Sequence, residues 1–441
     1  MRVNPPTLPL TKAVFAAALR TGHGRAIQQL ASYGPIGLED SIVAACITCL
    51  SYDPQCEAAR APWLYSVVDH AQLDATVLQA IGAIEHGLPG DSHRDVDQRS
   101  AILKEMAASG SNEARRLLYS SLARSPVSGD VIGLYDIVAL DGVDGLIYVA
   151  RQLGQWLHAD PDFWVDGYLN SYLRADTGID GGLKALEREA SVDPDIARYL
   201  VGSRQARDSP SSSARFDATS FTAVQIVDLI QKNPKSQCHW LRTWGANASA
   251  DQLEIVFAAL VMSDEPEHVK RLFRCFAKVG TPRFESRLLR WFDYADEDVQ
   301  FCAVAALAYV THPELRQAAR RFIAQGNVAR GISLLVNNFE DGDFSMCTKH
   351  LPSPVDADDT HRLVGALLDL CEAHPGDAAS DCLLYVYEFS PCSTCRCRAV
   401  KAMFRTNTAP AWVLEESAFD ADPETRELVG GDHSFLNLKR P

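Results

Sequence analysis

No stretch of this 441-residue chain stays apolar for the roughly 18–20 residues that a membrane-spanning helix requires, so no helical span is expected. The amino terminus, Met1-Arg2-Val3-Asn4-Pro5-Pro6, lacks the charged-then-apolar pattern of an export signal, and the expected compartment is the cytoplasm. Alternating β-branched runs are almost absent, which argues against a sheet. Positive charge is short: 42 Lys+Arg against 57 Asp+Glu leaves a net charge of −15, which disfavours a general nucleic-acid binder or a protein of anionic membrane surfaces. Lysine is especially rare, 10 residues against 32 arginines, which suits planar, bidentate surface contacts and equally a GC-rich coding bias of the kind found in bacteria. Cysteine is present but dilute: 12 residues in 441 are too few for a disulfide scaffold. Cys46 and Cys49 fall in an apolar helical pattern, where a free thiol serves as a small core residue.

Catalytic signatures are missing too. There is no G-x-S-x-G, no H-E-x-x-H, no Walker-type glycine loop and no G-x-G-x-x-G. His23 and His239 have no partner at a defined spacing and read as structural. These absences favour a non-enzyme without a cofactor.

What is present is helical periodicity. Leu146, Ala150, Leu153 and Leu157 recur at steps of four, three and four, which puts them on one helix face. Asp53-Pro54, Asp160-Pro161, Asp193-Pro194 and Asp422-Pro423 read as helix starts, since Asp accepts free backbone N–H groups and Pro has none to waste. The fold class expected is all-α. Residues 204–220, with the run Ser209-Pro210-Ser211-Ser212-Ser213, offer no apolar face to offset their ordering entropy and read as a linker. They divide the chain into an N-terminal helical array, 1–203, and a C-terminal one, 221–441; a disordered insertion inside one continuous array is the alternative. In the first half, 97–106 and 112–118 fit a helix pair, and 21–34 fits a capping helical hairpin.

The second half repeats. From Val269, Val299, Val328, Leu363, Cys395 and Thr425 the intervals are 30, 29, 35, 32 and 30 residues. Positions three, four, seven and eight beyond each anchor are mostly small or apolar, with Arg398 breaking one run. A period of this size with paired helices suits an α-solenoid of stacked antiparallel helix pairs. The segment Asp296–Leu307, with its acidic start, Val299 and small residues ending in Ala306-Leu307, resembles the second helix of a HEAT repeat. Residues 397–403 and 420–428 resemble the same unit, and the likeness covers roughly 250–430. The resemblance implies a scaffold, adaptor or regulatory subunit that binds another protein along a concave helical face. HEAT-like proteins also include nucleic-acid-binding base-acting enzymes, for which Trp291-Phe292-Asp293 offers an aromatic beside an acid, and lyases, for which no short motif can be tested.

Two constellations could carry chemistry. The first is C-x2-C-x-C at Cys392, Cys395 and Cys397, with His361, Cys371, His374 and Cys382 as further soft donors in reach of a zinc site. The missing second C-x2-C and the placement of Cys395 and Cys397 in a helical pattern favour core packing, so no metal is assigned. The second is basic: Arg271, Arg274, Arg283, Arg287 and Arg290 lie within one repeat, beside Lys270 and Lys278, and Arg316, Arg320 and Arg321 follow in the next. Their spacing by three or four lines up helix faces. With Trp291 they form a candidate ledge for an acidic segment of a partner protein; a solvated face balanced by Asp293, Asp296, Glu297 and Asp298 is the plainer reading.

Overall fold

The computed structural model describes residues 3–84, 92–125, 131–163, 169, 172–173, 179, 181–208, 217–233 and 238–430, with the side chains of 205–208 left aside. Among these residues there are helices and no strands. No helix among them is long and apolar enough to cross a membrane. The chain forms two compact units, Pro6–Ser212 with Leu414–Pro441 and Met1–Pro5 with Ser213–Val413. Of the linker span, 204–208 continue the helix Pro194–Asp208, 209–216 lie outside the described residues, and Ala218–Ser220 form a 3-10 turn.

In the unit containing 213–413, helix starts are written locally. Thr222 with Gln225 and Ser249 with Gln252 form capping boxes for Ala223–Lys232 and Ala250–Met262. Asp296, His312 and Asp356 accept backbone N–H groups at the starts of Glu297–Leu307, Pro313–Ala324 and Ala357–Ala373. Helices Pro266–Arg274, Glu297–Leu307, Val328–Leu335, Ala357–Ala373 and Ser393–Arg405 touch one another in succession. Pro313–Ala324, Asp343–His350 and Ser380–Phe389 make a second succession, packed on the first through contacts such as Pro313–Ala324 on Val328–Leu335. The anchors Val269, Val299, Val328, Leu363 and Cys395 all lie in the first row and are all buried. Helices of the second row bury apolar residues as well, among them Leu315, Phe322, Phe344, Cys347 and Val386.

The other unit is held by buried polar side chains that satisfy helix ends. Arg60 donates to the Leu19 and Arg20 carbonyls at the end of Lys12–Thr21, and Gln98 donates to those of Ala45 and Thr48 at the end of Glu39–Ile47. The helices His93–Ala108 and Asn112–Arg124 pack as a pair, and Lys12–Thr21 with Arg25–Tyr33 forms the expected hairpin. Among the described residues, two of the four Asp-Pro pairs open helices, Pro194–Asp208 and Pro423–Leu428; after Asp160-Pro161 residues 164–168 lie outside them. At Asp53-Pro54 the Asp53 carbonyl accepts from Cys56 and Glu57, closing a single turn that goes no further. Leu146, Ala150 and Leu153 are buried on one face of Leu134–Ala159, a helix kinked at Gly142.

The start of that helix supplies a pH prediction. Burial, opposed by Lys104 and aided by Asp97 and Glu105, pushes the Asp136 carboxyl up to about 6. An unfolded Asp titrates near 4. Between those values the folded state binds more protons, so stability falls as pH rises through the window. Asp136→Asn should raise stability by about 1–2 kcal/mol at pH 8 and have little effect at pH 4; an equal gain at both pH values would contradict this.

Candidate functional site

Several arginines of the basic stretch pair with carboxylates of other elements. Arg283 pairs with Glu254, Arg287 and Arg290 share Asp264, and Arg321 pairs with Asp293. Arg316 is bidentate to Asp343, with oxygens at 2.6 and 2.9 Å, and also reaches Glu340. Lys270 lies among Glu267, Asp296 and Asp298. Arg398, which interrupts the apolar pattern, pairs with Asp369 and Glu372 of the preceding row helix, and the Glu372 hydrogen bond is the main reason its pKa is raised. The arginine–carboxylate pairs between elements join residues 23 to 29 positions apart in sequence. The face is thus a ladder of ion pairs with both signs present.

The candidates do not all reach that face. Arg271 is buried and bonded to Glu267, Arg316 is largely covered, and Arg274 is half-buried beside Cys302. Arg283, Arg287, Arg290 and Arg320 are exposed. Ser286–Asp293 is a 3-10 helix, so Arg287 and Arg290 align by its three-residue turn while Arg283 lies ahead of it. Trp291 is buried, with the Arg290 guanidinium 4.7 Å from its ring centre, and Arg283 stands 4.6 Å from that of Phe257. Trp244 is also buried, its indole N–H on the Phe221 carbonyl at 2.8 Å.

All twelve cysteines are free thiols, ten of them buried. Burial pushes Cys46 and Cys347 up to about 12, so these are inert core groups. The neighbouring Cys382 thiol together with burial raises the Cys371 pKa. His374 has Nε2 2.7 Å from the Val336 carbonyl and its ring stacked on Phe339. None of these three joins the C-x2-C. His361 does: its donor atom and those of Cys392 and Cys395 all lie within 4.8 Å of one another. Cys397, two residues further along Ser393–Arg405, is buried outside that group. Sequence reasoning had His361 among several candidates, and only helix packing selects it.

Comparison of the chain with family models, with curated proteins and with solved structures returns no match.

Proposed function

We propose that this chain is a non-catalytic recognition protein, with stacked HEAT-like helix pairs binding an acidic segment of another protein. The observation that supports this reading is the trio Arg283, Arg287 and Arg290, all exposed, with Arg283 over the ring of Phe257 and Arg290 over that of Trp291. Each guanidinium already lies against an exposed carboxylate, Glu254 or Asp264, and a surface pair of this kind is worth only about 0.2–1 kcal/mol. A ligand carboxylate can therefore take over a partner at small cost, while the rings behind hold the guanidinium planes in place. The same exchange gives selectivity against basic ligands, which would leave three cations facing another positive charge.

The test is fluorescence anisotropy of labelled Glu-rich and Lys-rich peptides with the full chain. The Glu-rich peptide should bind more tightly, with an affinity that falls as salt rises. The triple variant Arg283→Glu, Arg287→Glu, Arg290→Glu should lose at least about tenfold, since 1.4 kcal/mol is a factor of ten. Unchanged binding in a folded triple variant would remove the binding face from this surface.

A further inference from the structure

We propose that His361 Nε2, Cys392 Sγ and Cys395 Sγ hold a zinc-class divalent ion, with water as the fourth ligand. The local sequence builds two of the three positions. Cys392 is the N-cap of Ser393–Arg405, with extended backbone at φ −101° and ψ 125°, and Cys395 lies one turn inside the helix. The Ser390 hydroxyl donates to the Cys392 carbonyl at 2.8 Å and accepts from its N–H at 3.2 Å, which fixes the approach to the helix. Both thiols are buried. The third position comes from tertiary packing: Ala357–Ala373 lies against Ser393–Arg405 and brings His361 Nε2 to 3.4 Å from Cys395 Sγ.

These separations suit a tetrahedral ion. Metal–sulfur bonds of about 2.3 Å and metal–nitrogen bonds of about 2.0–2.1 Å give an S···N edge near 3.5 Å and an S···S edge near 3.8 Å. The donor set also discriminates. Two sulfurs and an imidazole with no carboxylate in the group favour zinc over calcium or magnesium. Two thiolates offset the 2+ charge of the ion, so the bound cluster is neutral and costs little to keep buried. Half-buried His361 leaves one edge of the cluster within reach of water. Binding is a proton exchange without redox: each thiol gives its proton to solvent as its sulfur bonds the metal, and neutral imidazole donates its Nε2 lone pair.

The full chain, purified under reducing conditions and stripped with a chelator, is titrated with zinc chloride against a chromogenic chelator and, separately, with cobalt(II) chloride. One equivalent of zinc should bind with release of protons, and cobalt should give thiolate-to-metal charge transfer with intense tetrahedral visible bands. Cys392→Ser, Cys395→Ser and His361→Gln should each weaken zinc binding by at least about 100-fold. Cys397→Ser, in the same helix but outside the group, should bind as the parent does. Absence of the cobalt charge-transfer band in the parent chain overturns the site whether or not the variants fold. So does an equal loss in Cys397→Ser, or a mass spectrum showing Cys392 and Cys395 joined as a disulfide in the untreated protein. None of these readouts depends on the peptide experiment, so either proposal can fail alone.

Discussion

Arg25→Met should destabilise the unit formed by 6–212 and 414–441 by about 3–5 kcal/mol, the cost of stranding a buried charge. Arg25 Nε donates to Glu416 Oε1 at 2.7 Å, and the two side chains are 4% and 2% exposed. Removing the guanidinium leaves the Glu416 carboxylate in a medium that cannot solvate it. The neighbourhood cannot relax by letting water in, because the same junction is closed on other sides. Trp63 donates its indole N–H to the Phe419 carbonyl at 2.8 Å, and Ala421 donates its N–H to the Gly22 carbonyl at 2.9 Å. A Cβ at Gly24 would stand 2.0 Å from the Glu416 carbonyl oxygen. The double variant Arg25→Met, Glu416→Leu should regain most of the loss, since an apolar pair of similar volume removes both charges. Urea unfolding followed by tryptophan fluorescence measures both. Additive losses in the double variant would show that the pair itself contributes little and that packing around it dominates. By contrast, breaking the exposed Arg287–Asp264 pair should cost no more than about 0.2–1 kcal/mol.

The difference between those two pairs also shows where sequence reading reaches. Helix content and core-facing positions were legible because they are local. Val269, Val299, Val328 and Leu363 repeat at regular intervals, and each is buried. Arg398 stood out as a break in the pattern, and its partners Asp369 and Glu372 lie 29 and 26 residues back. Arg25 and Glu416 are 391 residues apart, and nothing in either segment marks the other. The metal-site candidates fall between these cases. Cys392 and Cys395 are a local motif, whereas choosing His361 over His374 needed the packing of two helices and the diversion of His374 onto Val336. The arginine stretch was legible as charge but not as exposure: a three-residue 3-10 period and the partners of Arg271 and Arg316 decide which guanidinium groups face outward.

Gly245→Ala should lower stability by about 1–3 kcal/mol, the usual cost of overpacking, although alanine is the better helix former. Gly245 lies inside Leu241–Asn247, and a Cβ there would fall 1.7 Å from the Cys275 carbonyl oxygen and 2.6 Å from its carbonyl carbon. Both atoms are backbone, so no rotamer change can clear the clash. The two segments must separate, and the separation would open the contacts around Trp244, Cys275 and Phe276, all fully or nearly fully buried. Gly365 provides the matched opposite. It lies within Ala357–Ala373, and a Cβ there meets nothing within 4 Å. Gly365→Ala should therefore gain up to about 1 kcal/mol from the lower conformational entropy of the unfolded chain. Thermal unfolding of the two variants beside the parent separates steric from propensity effects, because the chemical change is the same and only the surroundings differ. If both variants were stabilised, the close approach of Leu241–Asn247 to the Cys275 backbone would be refuted.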